Sequence, residues 1–108
     1  MKDTRTCERC GKRIRHARNG ILMVPGKEVE AAASKGKRAR WRLLHEECLG
    51  ARQEPVWIRL AHLRDRATLT SWNNFLRDKA WVNTSDWVEW REAFLAQMKE
   101  ASDGDSGT

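Results

Sequence analysis

Cys7 and Cys10 stand three residues apart, His45 and Cys48 repeat that spacing after 34 intervening residues, and the chain has no other cysteine. A structural Zn²⁺ takes four ligands tetrahedrally from thiolates and imidazoles, and a pair at i, i+3 lets one tight turn or one helical turn supply two of them. Three cysteines do not make a closed disulfide set, whereas three cysteines and one histidine leave no thiol over. The spacing therefore predicts one structural zinc held by Cys7, Cys10, His45 and Cys48. Because four protein ligands close the site, no position is open for a reactive water, and the expectation is a protein that is not an enzyme.

A chain of 108 residues has room for one compact domain or a metal-stapled module with an appendage. A chain this short gains little from a single core, so a metal that contributes to folding makes physical sense. No apolar run reaches the roughly 18 residues that would span a bilayer. The segment from Lys2 to Arg18 is polar and basic, with none of the apolar stretch of a signal peptide. These features predict a cytoplasmic protein in a reducing compartment, nuclear if the source is eukaryotic, with no membrane partner and no small-molecule substrate.

The net charge of +6 is unevenly placed. Residues 1–53 hold 14 Lys/Arg against 6 Asp/Glu, and residues 54–108 hold 7 against 9, so the metal-binding half is cationic and the rest is slightly acidic. A concentrated positive field attracts polyanions, of which nucleic acid is the commonest inside cells. Arg13, Arg15 and Arg18 on one side, and Lys35, Lys37, Arg38, Arg40 and Arg42 on the other, are the candidate phosphate contacts. Alternation at 38, 40 and 42 places three arginines on one side of an expected strand.

Cys7-Glu8-Arg9-Cys10-Gly11 reads as a metal-gripping knuckle, with glycine where a positive φ is needed. Asn19-Gly20 signals a turn, Ile21 to Val24 a strand, and Pro25-Gly26 its end. Lys27 to Lys37 reads as a loop with one helical turn over Val29 to Ser34. A second strand over Ala39 to Leu44 is expected to pair with the first, and His45 and Cys48 to open a helix reaching about Arg52. Beyond it, Glu54-Pro55 reads as a helix start, with Val56, Leu60, Leu63 and Ala67 on one face. Thr70 or Ser71 is expected to cap a second helix carrying Trp72, Phe75, Leu76 and Ala80. Asp86-x-x-Glu89 has capping-box spacing before a third helix with Trp87, Trp90, Phe94, Leu95 and Met98 on one side. The expected organisation is a basic finger over 1–53, a helical segment over 54–100 packed on it, and a disordered acidic tail over 101–108.

Knuckle, β-hairpin, then a helix whose first turn donates two ligands is the order of a treble-clef finger, so the fold class predicted is α+β. Cys7-x₂-Cys10, Ile14, the strand at Ile21 to Val24, and Trp41 ahead of His45-x₂-Cys48 resemble the poly(ADP-ribose) polymerase-type zinc finger over about residues 5–52. The resemblance implies a Cys₃His zinc site in this ligand order, and several members of that family bind DNA at strand breaks.

Five of the six tryptophans fall at 57, 72, 81, 87 and 90. Indoles carry large apolar surfaces, so a Trp-rich core packed against the finger is one use for them. Trp81, in the connection Ala80-Trp81-Val82-Asn83, is the candidate partner contact, since tryptophan is enriched at interface hot spots. Two functions remain in view. One is a nucleic-acid-binding module, DNA more than RNA, whose basic hairpin meets phosphates. The alternative is an adaptor or inhibitor that docks through the Trp-rich half on a nucleic-acid enzyme.

Overall fold

A computed structural model describes residues 2–49 and 56–106. Its backbone is α+β: a three-stranded antiparallel sheet, short helices, and one long C-terminal helix. Strand β1 is Gly20–Val24, helix α1 is Gly26–Lys35, β2 is Arg42–His45 and β3 is Val56–Arg59. Helices α2 (Leu60–Leu63), α3 (Arg66–Leu76), α4 (Ala80–Asn83) and α5 (Trp87–Ser106) follow. The strand order β2-β1-β3 puts β1 at the centre, and every residue of β1 is buried.

The register explains how one sheet serves two surfaces. Leu22 lies between Leu43 and Ile58, an apolar row across all three strands. The alternate row sets Met23 between Arg42 and Trp57, and Ile21 between Leu44 and Arg59, so that side of the sheet mixes apolar and cationic side chains. Trp41, fully buried, stacks on Trp81 at 5.8 Å between ring centroids and meets Trp87 at 5.4 Å. Its backbone N–H donates to Asp86 Oδ1 at 2.8 Å and its indole N–H to Ser85 Oγ at 3.2 Å. The N-terminal and C-terminal halves thus share one core, and β3 completes the sheet from beyond the expected boundary at 53/54.

Several elements differ from expectation. The loop expected over 27–37 is mostly α1, ten residues long, because its alanine run favours helix and Gly36 closes it at φ 67°. The helix expected from Pro55 is a strand followed by one helical turn. Val56, Trp57 and Ile58 suit a pleated surface, and pairing with β1 overrides the helical spacing of the apolar residues. Helix α3 starts before Thr70, with Asp65 accepting the Ala67 N–H as its cap. At the start of α5 no capping box forms: Ser85 Oγ takes the Trp87 N–H, while Asp86 is turned to Trp41 and Glu89 to Arg38. The backbone of α5 runs to Ser106, into the stretch expected to be a disordered tail, since extending a formed helix costs far less than starting one. The expected helix start at Glu54-Pro55 and the last two tail residues, 107–108, lie outside the described residues.

Gly20 shows how tightly the sheet meets α2. A Cβ built there would lie 2.7 Å from Leu60 Cδ2 and 3.1 Å from Ile14 Cγ2. Gly20→Ala is therefore expected to cost about 1–3 kcal/mol through overpacking, read as a lower urea midpoint at unchanged slope. A variant as stable as the parent would show that this contact yields freely.

Candidate metal centre and its basic flank

The knuckle is built by local hydrogen bonds. Asp3 Oδ1 accepts the N–H groups of Arg5 and Thr6, Thr6 bridges Arg13 in antiparallel fashion, and Ile14 N donates to Arg5 O at 2.7 Å. Inside that narrow ladder Cys7 N donates to Lys12 O and Gly11 N to Cys7 O, both at 2.9 Å, with Gly11 at φ 73°. The turn brings the buried Cys7 thiol and the exposed Cys10 thiol into one cluster. Glu8 N then donates to Leu43 O at 2.8 Å, docking the knuckle on β2, and Arg9 Nη1 donates to Cys48 O at 2.8 Å.

β2 ends at His45, and a single 3-10 turn over Glu46–Cys48 carries Cys48 back toward the knuckle. The ligand atoms of Cys7, Cys10, His45 and Cys48 all lie within 4.8 Å of one another, so the group can hold one metal ion. Cys10 Sγ is 3.3 Å from His45 Nδ1, and Cys10 N is 3.5 Å from Cys7 Sγ. The Cys10 Sγ to His45 Nδ1 distance is near the roughly 3.5 Å that separates sulfur and nitrogen on a tetrahedral ion with bonds of about 2.3 Å and 2.0 Å. The expected α-helix on the second ligand pair is not there: Leu49, after the 3-10 turn, is extended. The remainder of that expected helix, to Arg52, lies outside the described residues.

Three thiols in one small volume cannot ionise independently. Burial opposes ionisation of Cys7, but donation from the Cys10 and His45 backbones and the His45 side chain outweighs it and brings the thiol down to about 6. Cys48 is pushed up to about 11, by burial first and then by the neighbouring Cys7 and Cys10. An ion must displace that proton, so metal loading weakens as pH falls.

The basic candidates divide into two groups. Arg18 precedes β1, whereas Lys35 ends α1 and Lys37 and Arg38 follow it, so β1 and α1 lie between the two groups in the chain. Arg38, Arg40 and Arg42 do alternate with buried Ala39, Trp41 and Leu43. Each, however, meets a carboxylate: Arg38 pairs with Glu89, Arg40 with Glu8 at 2.6 Å, and Arg42 with Glu28 at 2.6 Å. Such partly exposed pairs are individually weak, but together they cancel the charge the alternation put there.

Beside the metal centre the balance is different. Arg13 and Arg15 line a groove with His16, Asn19, His45 and Glu47, and the same two arginines line an adjoining groove with Lys12, Cys10 and Cys48. Lys12, Arg13, Arg15 and Arg18 are exposed and form no ion pair among the described residues. Glu46, on the groove's acidic rim, is met by Arg59 at 3.3 Å. Lys12 belongs to this surface although the alternation argument, which drew attention to β2, passed it over.

Trp81 is half-buried and stacked on Trp41, which makes it part of the core contact between α4 and the sheet. The large apolar side chains most open to solvent are Phe75, 57% exposed, Val88 and Trp57. Trp57 carries Arg59 over its ring at 5.3 Å, and Phe75 carries Lys79 at 4.5 Å. Among the described residues, no helix is long and apolar enough to cross a membrane. No protein-family model matches the chain, and no curated protein or solved structure matches it.

Proposed function

We propose that this chain is a zinc-stapled nucleic-acid-binding module of treble-clef character, akin to the poly(ADP-ribose) polymerase-type finger, whose contact surface is the basic flank of the metal centre. The observation that carries the reading is the run Lys12, Arg13 and Arg15, which lines the grooves beside the site, with Arg18 shortly after it: all four are solvent-facing and without carboxylate partners among the described residues. Zinc is the ion of choice because three thiolates and one imidazole in a closed tetrahedral set suit it best. Its role is structural, since every coordination position is taken by protein. Phosphate contacts of this kind supply affinity without base selectivity.

Reversing Arg13, Arg15 and Arg18 to glutamate is expected to weaken binding to unrelated DNA sequences alike. On duplex DNA it should also lower the slope of log affinity against log salt by about 0.9 for each phosphate that is no longer neutralised. The same reversal at Arg38, Arg40 and Arg42 is expected to do less, because each of those arginines starts from a carboxylate partner. Fluorescence anisotropy over a salt series checks both. Equal effects from the two triples would return the interface to β2. Undetectable binding to DNA and RNA at low salt would favour the adaptor reading, for which Phe75 and its edge-on neighbour Trp72 on α3 supply an exposed aromatic contact.

A further inference from the structure

Arg64 is a partly buried charge that pairs with no carboxylate among the described residues. It sits in the turn between α2 and α3. Its Nη2 reaches Thr4 O at 3.5 Å, at the limit of a hydrogen bond, and its Nε–H is buried with no partner among the described residues. The neighbouring Asp65 is spent on capping α3 through the Ala67 N–H. Asp3, the other nearby carboxylate, accepts the backbone N–H groups of Arg5 and Thr6.

Further positive charge gathers at the same place. Thr4, which Arg64 contacts, leads directly into Arg5, and Thr6 bridges Arg13 across the knuckle ladder, so the fold sets two exposed arginines beside the half-buried one. Burial, and then the charges of Arg5 and Arg13, weaken Arg64's hold on its proton. A desolvated guanidinium beside two like charges costs free energy unless an anion compensates it. Guanidinium forks match phosphate oxygens in pairs through parallel N–H donors.

We propose that Arg64, with Arg5 and Arg13, forms an oxyanion site that takes a phosphate group. Arg64 is the fixed, partly desolvated donor and the two exposed arginines close over the anion. The group is either free phosphate or a phosphodiester of a nucleic-acid strand, and in the second form the inference rests on the nucleic-acid reading above.

Titrating inorganic phosphate into the metal-loaded protein, with chloride balancing ionic strength, is expected to shift the Arg64 Nε–H resonance saturably and to raise Tm. Arg64→Gln is expected to match or exceed the parent's Tm without phosphate, because a repulsive charge is gone, and to lose the saturable rise. Should that variant fold poorly, Arg13→Gln, at an exposed position, is expected to weaken the same titration. An Arg64 Nε–H that does not move in tens of millimolar phosphate overturns the site. A short DNA duplex separates the two sources. If Arg64→Gln lowers the salt slope by about one, the anion is a phosphodiester. If phosphate saturates the site while DNA binding is absent or unchanged in slope, the site takes free phosphate. If phosphate does nothing while the Arg13, Arg15 and Arg18 reversal still abolishes DNA binding, this inference alone fails.

Discussion

Stripping the metal with a chelator is expected to unfold the protein through both halves, with the tryptophan emission and the helical circular dichroism lost in one transition. The four residues of the cluster come from two places: the knuckle gives Cys7 and Cys10, and the end of β2 with the turn after it gives His45 and Cys48. The burial of Cys7 and Ile14 and a few hydrogen bonds such as Glu8 N to Leu43 O also hold the knuckle to the sheet. Apparent zinc affinities in small fingers are about 10–16 kcal/mol, against a total stability of about 5–15 kcal/mol for an ordinary domain. Losing that term should leave no stable fold. The helical half is expected to go with the finger, because β3 pairs with β1 and Trp41 lies among Trp81, Trp87 and Ser85.

Cys10→Ser is the cleaner variant for the same test. Cys7 is fully buried in the core, so its replacement disturbs packing whatever the metal does, whereas Cys10 is exposed and chiefly a ligand. Metal analysis of the purified parent is expected to return one zinc per chain. A well-folded protein with metal content near zero, or a Cys10→Ser variant with the parent's melting curve, would sink the assignment.

The cluster of Cys7, Cys10, His45 and Cys48 was legible in the sequence because two i, i+3 pairs are a local pattern that survives any arrangement of the chain between them. Strand β1 was legible for a similar reason: Asn19-Gly20 and Pro25-Gly26 bracket a short apolar run. Val56 to Arg59 was not. A short stretch containing Val, Trp and Ile fits either period, and what decides it is the open edge of β1, which lies more than 30 residues back in the chain. The pairing of the strand arginines was hidden for the opposite reason. Their alternation is real, yet Glu8, Glu28 and Glu89 come from three separate elements, and no spacing in the sequence shows that they converge on β2. Arg64 gave no signal either, since its isolation from carboxylates exists only once α2, α3 and the knuckle meet.

Trp41→Ala is expected to cost about 3–5 kcal/mol in the metal-loaded protein, a large part of what an ordinary domain has to lose. Trp41 is fully buried, and truncation leaves a cavity bounded by the rings of Trp81 and Trp87, which are themselves fixed on α4 and α5. It also removes the indole N–H that donates to Ser85 Oγ, although Ser85 keeps its bond to Val82 O and so is not stranded. The backbone N–H of residue 41 still reaches Asp86, a carboxylate only 3% exposed and paired with Lys2 at 2.9 Å, so the variant tests packing with the polar contact retained. Trp57→Ala is the control: its ring is 42% exposed on an edge strand, and its loss is expected to cost about 1 kcal/mol or less. Urea denaturation at saturating zinc compares the two. If Trp41→Ala lies within about 1 kcal/mol of the parent, or Trp57→Ala costs as much as Trp41→Ala, the finger and the helices do not share the core described above. If Trp41→Ala lowers stability and also raises the zinc concentration needed for folding, the coupling runs from the indole cluster through β2 to His45 and Cys48.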